Sequence, residues 1–95
     1  MAVIDEGLMA PQVLLMYRAV RSAGLPVHLI TAMLQIARST LYSWYAGIIP
    51  TDKYSRKIHT LTAVANLAVA EGLLPAPPAL LDERWAAAID AYRTK

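Results

Sequence analysis

Between residues 18 and 59 six cationic side chains, Arg18, Arg21, Arg38, Lys53, Arg56 and Lys57, stand against one acid, Asp52. That stretch carries +5, whereas residues 1–17 carry −2 and residues 60–95 carry −1, in a chain whose total is only +2. A segment with this balance is where a polyanion would be held, because its field adds over the cluster. Residues fit for bond-making chemistry are missing. There is no glycine-rich phosphate loop, no nucleophile elbow, no HExxH and no carboxylate pair in an apolar setting. His28 and His59 are lone histidines with no second ligand near them in sequence, and without cysteine there is no disulfide framework or thiolate metal site. No cofactor, no metal and no enzymatic activity are expected.

The elements that must position those charges read as helices. Residues 11–23 form a first helix: Pro11 suits its first turn, Val13, Leu14, Met16, Tyr17 and Val20 make its apolar stripe, and Gly24 ends it. Pro26 opens a short second helix to about Leu34, and a third runs from Arg38 to Ala46, stopped by Gly47 and Pro50. Thr51 or Asp52 is expected to cap a fourth helix ending near Glu71. It carries two stripes, Tyr54, Ile58, Leu61, Ala65 and Ala68, with Val64 and Leu67 beside them. After a proline-rich break at 73–78, a fifth helix spans about Ala79 to Arg93, with Asp82 and Glu83 expected in its first turn and Arg93 in its last. Neither a strand pattern nor a repeat is visible, so the fold class is all-α with about five helices.

From Leu25 to Gly47 the chain reads LPVHLITAMLQIARSTLYSWYAG. This resembles the helix-turn-helix of the phage-repressor and Cro-like (lambda-repressor-like) transcriptional regulators, whose typical form is LTQEELAKKLGVSRSTISRWERG. The register holds without a gap over residues 27–46. Ile30 and Leu34 take the apolar positions of the first helix, Ile36 follows the turn, and Leu41 and Trp44 take those of the second. Two short helices crossing steeply need apolar contacts at these few points. Three residues depart from the pattern. Gln35 holds the turn position usual for glycine, Thr31 replaces an alanine, and Val27 replaces a glutamine that commonly touches phosphate in the family.

The resemblance implies a lambda-repressor-like domain over 1–75, with residues 76–95 as an added helix packing on it or on a partner. It also implies that the second helix of the motif enters the major groove with its N-terminal residues at the base edges. Arg38 is then the leading base contact, since its planar fork pairs bidentately with guanine, and Ser39, Tyr42 and Ser43 share its face. Thr40, His28, Lys53, Arg56 and Lys57 are candidates for phosphate contacts, which supply affinity and register rather than sequence preference. Arg18 and Arg21 read as solubilising.

A hydrophobic fraction of 57% is high for 95 residues, and small chains have little interior in which to bury it. A homodimer is therefore expected, through Val64, Leu67, Trp85, Ala88, Ile89 and Tyr92, on a near-palindromic double-stranded DNA operator. No run is long and apolar enough for a membrane span, and the acidic start is unlike a signal peptide, so a cytoplasmic location is expected. The functional expectation is a dimeric repressor of phage, plasmid or mobile-element type. Its rival is a protein-interaction module, antitoxin-like or anti-activator-like, that keeps the helix-turn-helix as a scaffold.

Overall fold

A computed structural model describes residues 4–94. Among them are five α-helices and no strand: α1 (Pro11–Ala23), α2 (Val27–Leu34), α3 (Arg38–Tyr45), α4 (Ser55–Ala70) and α5 (Pro78–Arg93). None is long and apolar enough to cross a membrane. A single 3-10 turn, Glu6–Leu8, precedes α1 and is capped by the Asp5 carboxylate, which accepts from the Gly7 N–H at 2.9 Å.

The helices gather around α4, which lies along α1 and also touches α2 and α5. Ala19 and Ala23 of α1 and Ala65 and Ala68 of α4 are all buried; side chains this small let helix backbones approach closely. Val13, Met16, Leu34, Leu41, Ile58, Leu61 and Val64 fill the centre, and no polar or charged residue is buried among the described residues. Apolar burial is thus the main force on the interior, at roughly 25 cal/mol per Å² removed from water.

One backbone device ends four of the five helices. At α1, Gly24 takes φ 68 and the next N–H, that of Leu25, returns to the Val20 carbonyl at 3.0 Å. The same closure ends α3 at Gly47 and α4 at Gly72. At α2 the residue is Gln35, at φ 57 and ψ 48, with the Ile36 N–H bonded to the Thr31 carbonyl at 3.2 Å. A side chain in that left-handed conformation costs about 1–2 kcal/mol.

Several expectations need correction. Neither Thr51 nor Asp52 caps α4. The chain makes a 3-10 turn at Asp52–Tyr54, which brings the Tyr54 ring against Trp44, and the helix starts only at Ser55. Because α5 begins at Pro78, Asp82 and Glu83 fall in its second turn, away from the helix end where the dipole is felt. The dimer assignment of Val64, Trp85 and Ala88 also fails. All three are buried within the single chain, where α4 already has α1, α2 and α5 as partners. On the second stripe of α4 the fold turns Val64 into core. Of the remaining three, Ile89 and Tyr92 are half-buried and packed on that core, and Leu67 is half-buried.

Trp85→Ala should therefore destabilise the isolated chain by about 3–5 kcal/mol in urea unfolding, the usual cost of emptying an aromatic core position. A loss below about 1 kcal/mol would return Trp85 to the surface.

Candidate nucleic-acid interface

Three side chains fix α3 from below. Leu41 and Trp44, three residues apart on the inward face, are buried, and Tyr45 closes the C-terminal end. The Tyr45 ring meets Tyr17 of α1 edge-on, with centroids 5.1 Å apart and planes at 73°. Tyr42 meets the other side of Tyr45 at 6.4 Å. Edge-to-face pairs of this geometry add about 0.5–1.5 kcal/mol beyond burial, so α3 is pinned to α1 as well as to the core.

With that face inward, the opposite face presents Arg38, Ser39, Tyr42 and Ser43, all exposed, with Tyr42 at 47%. Arg38 and Tyr42 are one helical turn apart, as are Ser39 and Ser43, so the four form a compact patch. The Ser43 hydroxyl donates to the Ser39 carbonyl at 2.9 Å, leaving its oxygen to accept from a ligand. Thr40 is half-buried at the edge of the patch, and His28 is exposed in the first turn of α2.

The cations divide into tied and available groups. Arg18 pairs with Glu6 at 2.9 Å, and Arg21 donates to the Tyr17 hydroxyl at 2.9 Å while lying over its ring. Both are engaged by residues on or before α1. Lys53 sits with its ammonium 5.0 Å from the centre of the Tyr54 ring, and that ring packs at 5.3 Å on Trp44 of α3. Lys57, half-buried, donates to the Gln35 side-chain oxygen at 2.6 Å. Lys53 is thus anchored at the C-terminal end of α3 and Lys57 near its N-terminal end, with exposed Arg56 between them in sequence. These two links lie beyond what local sequence patterns reveal. The one signal was Gln35 at a position where glycine is usual.

No protein-family model, no curated protein and no solved structure matches the chain.

The buried tyrosine makes α3 sensitive to alkali. Burial first, and then the Tyr17 and Tyr42 hydroxyls, push the Tyr45 hydroxyl up from 10.0 to about 12. An unfolded tyrosine ionises near pH 10, so the folded chain holds a proton that the unfolded chain releases. The resulting stability is intact below pH 10 and is lost as pH rises through the folded value. The slope in that window is about 1.4 kcal/mol per pH unit. Tyr45→Phe should flatten the fall in unfolding free energy between pH 10 and 12, whereas an unchanged fall would place its cause elsewhere.

Proposed function

We propose that this protein is a sequence-specific double-stranded DNA-binding regulator of transcription. The observation that carries the reading is the exposed polar face of α3, led by Arg38 and flanked by cations held at both ends of the same helix. On a duplex, α3 lies in the major groove and Arg38 pairs with the O6 and N7 of a guanine, while Ser39, Tyr42 and Ser43 reach neighbouring base edges. Lys53, Arg56 and Lys57 take phosphates beside the groove, with Thr40 and His28 at its margins. The resemblance of residues 27–46 to the Cro-like regulators supports this docking mode and a repressor of phage, plasmid or mobile-element type.

The same reading includes a homodimer. With Val64, Trp85 and Ala88 occupied inside the chain, the support for pairing moves to exposed apolar side chains: Leu8 at 59%, Ile48 at 61% and Ile49 at 73%. Leu8 lies against Gly47, the residue before Ile48. Those side chains equally favour a second reading, in which the helix-turn-helix is a scaffold for contact with another protein. Binding to duplex DNA by the purified chain separates the two.

Sites selected from a random duplex pool should be near-palindromic, with half-sites about 10 bp apart or a multiple of that. Arg38→Ala should lower the preference for such a site over random duplex by about ten- to a hundredfold, leaving the non-specific component in place. Unchanged discrimination in a gel shift would remove Arg38 from base readout.

A further inference from the structure

The turn between α2 and α3 is built on a residue that its backbone conformation disfavours. Gln35 is the one non-glycine residue at positive φ among the described residues, while the corresponding closures of α1, α3 and α4 fall on Gly24, Gly47 and Gly72. Glycine would remove the strain. What glutamine adds is a side-chain amide, and its oxygen accepts from the Lys57 ammonium at 2.6 Å across 22 residues of sequence.

The chemistry of that bond matters. An amide oxygen is neutral, so Lys57 keeps its full charge and two unused donors. A carboxylate in the same place would hold the lysine equally well but cancel its charge. A lysine head on a four-carbon stem ordinarily loses rotamer freedom when it meets a phosphate, and that loss weakens binding. A lysine already tethered loses less. Gln35 is also three residues before Arg38, at the end of α3 that enters the groove in this docking mode, and the groove is walled by phosphates.

We propose that Gln35 is a positioning residue for DNA binding, tethering an uncompensated Lys57 ammonium beside the N-terminal end of α3 for a phosphate flanking the groove. The inference rests on the DNA-binding reading given above. Lys53 is steadied at the opposite end of α3 by the Tyr54 ring, so a lysine is held near each end of the helix.

A double-mutant cycle with the full chain and one fixed duplex tests it, using Gln35→Gly, Lys57→Gln and their combination. Gln35→Gly should fold at least as stably as the parent, since it relieves the left-handed strain. It should bind the duplex about three- to tenfold more weakly, with the salt dependence unchanged, because Lys57 still reaches its phosphate from a freer start. Lys57→Gln should reduce the steepness of log affinity against log salt by about 0.9. In the Lys57→Gln background, Gln35→Gly should have little further effect. Gln35→Asn, which tolerates the left-handed conformation but is one methylene shorter, should behave like Gln35→Gly. Equal losses from Gln35→Gly in both backgrounds, or no loss in the parent, overturn the inference and leave DNA binding standing. Failure of the parent chain to bind duplex at all overturns both.

Discussion

The contact between α1 and α4 is the constraint on which the rest of this structure depends. Alanines on both helices allow a close approach, and the larger side chains of Val13, Met16, Ile58, Leu61 and Val64 fill the space around it. Because no charged side chain is buried among the described residues, the interior contributes little directional preference. Orientation comes instead from the edges, where glycine closures fix the helix ends and aromatic pairs fix α3. α4 carries Arg56 and Lys57 in its first turn, so the helix that organises the core also carries cations of the candidate interface.

The coupling between core and surface is short. Trp44 is buried, Tyr54 packs on it, and Lys53 lies over Tyr54. Tyr45 is buried between Tyr17 and Tyr42, and Tyr42 is part of the exposed patch. Lys53 and Tyr42 are therefore each one or two side chains from a fully packed position. The backbone of α3 and the Tyr42 ring are thereby fixed against the core. Arg18 is instead engaged by Glu6, whereas Arg21 reaches α3 through Tyr17, whose ring meets Tyr45.

The helices were legible in the sequence where punctuation and periodicity agreed. Pro11 and Gly24 bound α1 at both ends, and Gly47 set the end of α3 within a residue. The start of α4 was misjudged because Thr51 and Asp52 have the chemistry of caps, while a tertiary contact, Tyr54 on Trp44, governs the local path. Val64, Trp85 and Ala88 were assigned to a partner because apolar residues looked too many for one small core. α1, α2 and α5, packed around α4, absorb them within the chain. The exposed face of α3 could be read from spacing alone, since Leu41 and Trp44 define its inward side. The tether between Gln35 and Lys57 could not, because a bond across 22 residues leaves no periodic trace.

The central claim is that the cations flanking α3 meet phosphates. The most direct measurement is the affinity of the purified chain for duplex DNA as a function of salt. Each phosphate contact releases counterions, with a slope of about −0.9 in log affinity against log salt. Contacts from Lys53, Arg56 and Lys57 give a slope of about −2.7 for one bound chain and about −5.4 for a pair. A slope near zero, or no binding at low salt, contradicts the account and leaves the helix-turn-helix as a scaffold for a protein partner.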